Sequence, residues 1–189
     1  MGEILLLRHG QTAWSASGRH TSYTDLDLTI DGERQARELG KAVTARRFVA
    51  VFTSPAQRAR RTAALAGLAV TRVDEDLAEW NYGGYEGETT GQIHRRRPGW
   101  SLWVDGCPGG ESPEQVGQRQ DRMLARVAPF LAAGDVAVVG HGHALRVAAA
   151  RWIGLPAQLG GRLRLDTGSV CLLGHEHGRP VIVRWNAAP

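Results

Sequence analysis

Apolar residues in this chain come in short unbroken runs that stop at glycine-rich or charged segments. Ile4-Leu5-Leu6-Leu7, Phe48 to Phe52 and Val136-Ala137-Val138-Val139 are the clearest, and runs of this length read as strands buried on both faces. Val70 to Val73 is a weaker strand, and Gly168 to Leu173 and Val181 to Trp185 supply two more. Between them the spacing turns helical. Leu28 to Arg47 predicts a helix capped by Thr29 or Asp31, with Ile30, Ala36, Leu39, Gly40 and Val43 on its inward face. Ser54-Pro55 predicts an N-cap with proline in the first turn of a helix reaching about Ala66. Ser112-Pro113-Glu114-Gln115 repeats that pattern before a helix to about Ala133, and Ala144 to Ile153 predicts another, closed by Gly154 and Pro156. Strands alternating with helices imply an α/β three-layer sandwich, a mostly parallel central sheet flanked by helices, as one domain over residues 1–189. Two stretches break the pattern. Glu79 to Gly87, with Gly83, Gly84 and Gly87, reads as loop rather than core, and Gly99 to Gly110 as a lid or surface excursion.

Composition narrows the class by exclusion. Hydrophobic residues make up 42% and charged residues 22%, the balance of an ordinary folded domain. No apolar run approaches the ~20 residues that a membrane span requires. The start, Met1-Gly2-Glu3, lacks the basic and long apolar regions of a signal peptide, so a cytoplasmic location is expected. Cys107 and Cys171 are too few for a disulfide framework and give no zinc spacing. The net charge of +4 is spread over arginine-bearing helix faces, without the aromatic strand motifs of a nucleic-acid binder. Arg95-Arg96-Arg97, the one basic run, reads as a solvated helix end. Neither nucleic acid nor membrane is an expected partner, and assembly with further copies of the chain is left open.

The chemistry gathers where strands end. In open α/β sheets, ligands bind outside the carboxyl ends of the strands. Arg8 and His9 follow the first strand, Arg58 sits early in the helix after the second, Glu79 follows the third and His141 ends the fourth. Two guanidinium forks suit a phosphomonoester dianion. A neutral imidazole, His9, with one ring nitrogen bonded to a backbone carbonyl, has the other free to attack phosphorus. A protonated His141 would stabilise the equatorial oxygens, and Glu79, held protonated in a partly apolar loop beside Trp80 and Tyr82, would protonate the leaving group and later activate water.

Other phosphate chemistries fail at visible points. A cysteine-dependent phosphatase needs arginine six positions after its cysteine, and Pro113 and His177 stand there. Gly40-Lys41-Ala42 lacks the hydroxyl residue of a P-loop, and Gly140-His141-Gly142 lacks the third glycine of a dinucleotide fingerprint. His141, His143 and His175 have no recognised metal-ligand spacing, so no metal is expected.

Taken together, Arg8-His9-Gly10, Ser54-Pro55-Ala56-Gln57-Arg58, Glu79-Trp80-Asn81-Tyr82-Gly83, Pro108-Gly109-Gly110-Glu111-Ser112 and Val138-Val139-Gly140-His141-Gly142-His143 resemble, in order, the motifs of the histidine phosphatase, or phosphoglycerate mutase-like, superfamily. The resemblance implies that fold, a phosphohistidine intermediate on His9, catalytic roles for Arg8, Arg58, Glu79 and His141, and no cofactor. It also implies a pocket lined by Gln11, Ser15, Thr21, Ser22, Tyr82, Gly142 and His143 for a small phosphorylated metabolite. The segment from Trp14 to Thr29 resembles family phosphatases acting on sugar phosphates. The alternatives are a mutase of the same family, which commonly carries more residues around the site mouth, and a non-catalytic phospho-ligand binding protein.

Overall fold

Alternate side chains of each central strand enter different cores. A computed structural model describes residues 1–189, with strands β1 (Ile4–Arg8), β2 (Phe48–Thr53), β3 (Arg72–Val73), β4 (Asp135–Gly140), β5 (Val170–Glu176) and β6 (Arg179–Ala187). Ile4, Leu6, Phe52, Val136 and Val138 face one cluster, while Leu5, Leu7, Val51, Ala137 and Val139 face another. That period of two, buried on both sides, is why the strands read as unbroken apolar runs.

The strands form one sheet in the order β3-β2-β4-β1-β5-β6. The β3–β2, β2–β4 and β4–β1 pairs are parallel, whereas β5 and β6 join antiparallel at one edge. The hairpin turn carries His177 at φ 49° and Gly178 at φ 77°, left-handed values that suit a tight connection. After the short α1 (Ala13–Ala16), helices α2 (Ile30–Thr44) and α3 (Gln57–Leu65) cover one face, and α6 (Pro113–Val127) and α7 (Gly142–Trp152) the other. The layered α/β expectation holds.

Register, more than any single contact, builds the functional edge. Arg8 pairs with Gly140 across β1–β4, and Thr53 with Val139 across β2–β4. His9, His141 and Ser54 therefore leave three adjacent strands side by side, with Ser54 N–H on the Val139 carbonyl at 3.0 Å and His9 N–H on the Gly140 carbonyl at 3.0 Å.

Four local readings are revised. Ile30 is 91% exposed rather than inward-facing, because Thr29, whose hydroxyl accepts from Gly32 N–H, caps the helix and leaves Ile30 on its outer first turn. Ser54 is not the cap of α3, which begins at Gln57 with Ala56 as N-cap. α7 begins at Gly142, two residues before the expected start. The segments read as loop and excursion are core: Trp80, Tyr82, Trp100 and Leu102 are buried together with Ile93 and Val147. Their polar aromatic atoms are satisfied by backbone carbonyls, Trp80 Nε1 by Glu111 and Trp100 Nε1 by Gly106, which makes burial of irregular backbone tolerable. The packed stretch includes α4 (Thr90–Arg96) and α5 (Leu102–Asp105). Arg96 and Arg97 at the end of α4 are exposed and pair with Glu88 and Asp105.

Candidate active site

His9 sits at the end of β1 with its ring 5% exposed as a residue and its Nδ1 2.7 Å from the Gly10 carbonyl oxygen. A carbonyl only accepts, so Nδ1 carries the proton and Nε2 keeps its lone pair. Gly10 is required there: a Cβ would lie 2.2 Å from the Gly32 carbonyl oxygen, so only glycine lets the turn pass this close to the start of α2. Gly10 N–H donates to Thr62 Oγ1 at 3.1 Å, and Thr62 donates to the Arg58 carbonyl at 2.7 Å, joining the His9 turn to α3.

His141 lies beside it, ring centroids 5.0 Å apart and edge-on. Arg58 Nε donates to His141 Nδ1 at 3.2 Å, and His141 Nε2 lies 2.6 Å from Ser54 Oγ. Since a guanidinium only donates, Nδ1 is unprotonated and the single proton resides on Nε2. Burial, then Arg58, pushes the His141 pKa well below its ordinary value, and the same two causes act on His9 with Arg8 added. The resting His141 is thus a neutral donor rather than the cation expected from sequence, because the neighbouring arginine occupies the nitrogen a second proton would need.

The two arginines are anchored differently. Arg58, 1% exposed, spends its Nη groups on the carbonyls of Thr21, Ser22 and Thr24. Arg8 donates through Nη1 to the Leu165 carbonyl and keeps a buried Nε without a protein acceptor. Its guanidinium lies against Gly142, where a Cβ would approach Arg8 Cζ to 3.1 Å.

Glu79 closes the far side. Its Oε1 accepts from the N–H groups of Trp80 and Ala144, both at 2.8 Å, and Oε2 from His143 N–H at 3.0 Å. It supplies the side-chain cap that α7 lacks at its N-cap residue His141. Four acceptor directions minus three amides leaves one for chemistry. This differs from the apolar carboxyl expected from sequence: the aromatic neighbours are buried beneath the loop, while its carboxylate meets amides. Arg119 clamps the loop, donating to the Asp76 and Ala78 carbonyls and, at 2.7 and 3.0 Å, to both oxygens of Glu111.

A cavity of about 250 Å³ opens on this edge, lined by Arg8, His9, Ser15, Thr21, Glu79, Tyr82, Gly142 and His143 among the residues expected. Arg58 and His141 lie buried behind it. Gln11 does not line it, for its side-chain oxygen accepts from Thr29 Oγ1. Ser22 also turns away, donating to Glu86 Oε2 at 2.5 Å and lining a second cavity with Ser54 and the other side of Glu79. Sequence reasoning missed Thr12, Thr90 and Arg146 on the wall, and reached Arg19 and His20 only as part of the segment from Trp14 to Thr29. Arg146 is legible afterwards as one helical turn beyond Gly142. It stacks 4.4 Å from the Trp103 ring centroid, bonds the Gly160 and Gly161 carbonyls, and burial lowers its pKa to about 10. Tyr82 hydroxyl lies 2.5 Å from His143 Nδ1; burial holds the phenol protonated, so it donates and leaves His143 protonated on Nε2. No cluster of three His, Cys, Asp or Glu side chains here has metal-binding geometry.

The family model of the histidine phosphatase superfamily, branch 1, matches residues 4–188. The chain belongs to this superfamily. An acid phosphatase of Mycobacterium tuberculosis is 45% identical over 93% of this chain and 87% of its own. A Saccharomyces cerevisiae sedoheptulose 1,7-bisphosphatase is 40% identical over 82% and 68%. Among solved structures, the product of a Mycobacterium tuberculosis open reading frame superposes with TM-score 0.96 at 42% identity, over 99% of this chain and 98% of that one. A mycobacterial glucosyl-3-phosphoglycerate phosphatase bound to vanadate gives 0.86 at 28% identity, over 99% and 100%.

Proposed function

We propose that the protein is a metal-independent phosphomonoesterase that transfers the phosphoryl group of a small sugar phosphate to His9 and then to water. The observation that carries this reading is the His9 Nδ1–Gly10 carbonyl bond, which directs a bare Nε2 toward the cavity containing Arg8 and Glu79.

In the first step Nε2 attacks phosphorus in line with the ester oxygen. The N–P bond forms as the P–O bond breaks, and Glu79, having taken up a proton, passes it to the departing alkoxide. Arg8 and the Nε2–H of His141 bind the phosphoryl oxygens as charge moves onto them, while Arg58, held by His141 and three carbonyls, fixes the His141 ring and adds positive charge behind the site. In the second step Glu79, again a carboxylate, accepts a proton from water as the water oxygen attacks phosphorus, and the N–P bond breaks to restore neutral His9. No step requires a metal.

The cavity wall supports a compact, strongly anionic substrate. Arg8, Arg19 and Arg146 line it, and Glu79 is its one carboxylate. The yeast bisphosphatase among the relatives supports sugar phosphates within that class. No helix is long and apolar enough to cross a membrane, in keeping with a cytoplasmic enzyme.

Turnover of p-nitrophenyl phosphate and a panel of sugar phosphates, with and without chelator, tests the reading. Wild type is expected to release inorganic phosphate in chelator, and His9→Ala to release none. An acid-labile phosphoryl adduct should be trapped on wild type only. Isomerised phosphosugar without free phosphate would instead identify a mutase, and no turnover a binding protein.

A further inference from the structure

The sequence pattern predicts Ser54 as a helix cap, and the fold gives it a different position. It leaves β2 fully buried, its backbone held on Val139, and its hydroxyl oxygen accepts from Ala56 N–H at 3.3 Å and faces His141 Nε2 at 2.6 Å. His141 is equally buried, with Arg58 Nε on its other nitrogen.

These contacts constrain one another. An imidazole ring has two in-plane bonding directions, and a neutral one carries a single proton. Arg58 takes the acceptor direction, so the donor direction at Nε2 is the only one through which His141 can serve a phosphoryl oxygen. Ser54 holds that N–H when no phosphoryl group is bound. Without Ser54, a buried N–H would lack a partner, a costly state that is relieved by rotating the ring or admitting water.

We propose that Ser54 is a positioning residue of the reaction: it locks the His141 ring between itself and Arg58, keeping the Nε2–H aimed beside His9 until the phosphoryl oxygens share that hydrogen in the transition state. The proposal rests on the phosphatase reading for its kinetic consequence, but its structural core, a single fixed tautomer of His141 held by Ser54, stands separately. The hydroxyl hydrogen of Ser54 has no protein acceptor and the residue lines the second cavity of about 380 Å³, so the serine can turn its own hydrogen away while accepting from the ring.

Two arms test it on the full chain. In nitrogen-15 spectra of histidine-labelled wild type, His141 should appear as the neutral Nε2–H tautomer with a slowly exchanging ring proton. Ser54→Ala should retain the tautomer, since Arg58 still dictates it, but lose the exchange protection, and Ser54→Thr should restore it. A cationic or Nδ1–H His141 in wild type, or protection unchanged in Ser54→Ala, would overturn the lock. In the kinetic arm, using p-nitrophenyl phosphate, Ser54→Ala should lower kcat by about 10- to 100-fold, the scale set by small misplacements of a reacting group. KM should stay within about threefold, vanadate inhibition should weaken in parallel with kcat, and Ser54→Thr should recover most of the rate. A KM effect with kcat intact, or Ser54→Thr as slow as Ser54→Ala while folded, would overturn the positioning role. Absence of wild-type turnover would remove the phosphatase reading while the spectra still decide the lock. Should Ser54→Ala fail to fold, Ser54→Thr and Ser54→Cys carry both arms.

Discussion

Glu79 Oε1 accepts the backbone N–H of Ala144 at 2.8 Å, tying the loop after β3 to the first turn of α7. The same oxygen accepts from Trp80, and Oε2 from His143. One side chain therefore both caps the helix that carries the pocket residues Gly142, His143 and Arg146 and faces the space where an ester oxygen would lie.

Replacing Glu79 by glutamine separates these duties. The glutamine oxygen can keep the two amides on Oε1, but its NH2 would then confront His143 N–H, donor against donor. We expect Glu79→Gln to cost about 1–3 kcal/mol of stability, the price of one unsatisfied buried amide, seen as a lower urea midpoint. Turnover should fall further for alkyl phosphates than for p-nitrophenyl phosphate, whose leaving group needs little help from an acid. Equal slowing of both would remove Glu79 as proton donor while leaving its capping role.

The neutral state of His9 sets the acid limit of activity. Burial, Arg58 and Arg8 push its pKa well below the usual value near 6.5, while the Gly10 carbonyl opposes them weakly. Protonation of Nε2 destroys the nucleophile. The acid limb of kcat/KM, corrected for ionisation of the substrate, should lie below the ordinary histidine range, with full activity retained at pH 6. A limb near 6.5 or above would contradict the neutral, buried nucleophile.

Gly142 offers a mild test of the phosphate clamp. A methyl group there would stand 3.1 Å from Arg8 Cζ and 3.3 Å from Nε, closer than relaxed contacts allow. Arg8 is tethered to the Leu165 carbonyl and cannot retreat freely. Gly142→Ala should shift the guanidinium by a few tenths of an ångström and lower kcat/KM about tenfold, a fraction of what ~1 Å of misplacement costs. The thermal midpoint should change little, because φ at Gly142 is ordinary helix. Unchanged kinetics would mean that Arg8 does not bind the transferred group in this position.

How far sequence could reach is visible in the same residues. Strand ends marked by Arg8-His9 and Gly140-His141 were legible because an apolar run stopping at polar residues has one reading in an open sheet, and the parallel register aligned them as expected. The segment from Trp80 to Leu102 was not, because its burial follows no period: irregular backbone is buried through side-chain and carbonyl pairings among residues up to 31 positions apart. Ile30 misled for the opposite reason, being apolar and in phase but on a first turn that nothing covers. The protonation of His141 depended on which face Arg58 presented, and no spacing reveals that.

Stability should depend on pH through the same buried imidazoles. His9, His141 and His143 all have folded pKa values held well below the unfolded value, burial being the largest cause in each. Above about pH 6.5 both folded and unfolded chains carry these rings neutral, so the contribution is fully present. As pH falls below that value the unfolded chain takes up protons that the folded chain refuses. Stability then declines by up to about 1.4 kcal/mol per pH unit for each ring, until the pH reaches the depressed folded values. Urea midpoints should therefore drop steadily from pH 6.5 to 5.5 after a plateau from 7.5 to 6.5. His20 is lowered too, again chiefly by burial, so His143→Asn, which removes one of four such rings, should flatten that decline by about a quarter to a third. A wild-type midpoint constant down to pH 5.5 would show that these rings titrate alike in both states, and with that the case for a neutral His9 and His141 would fall.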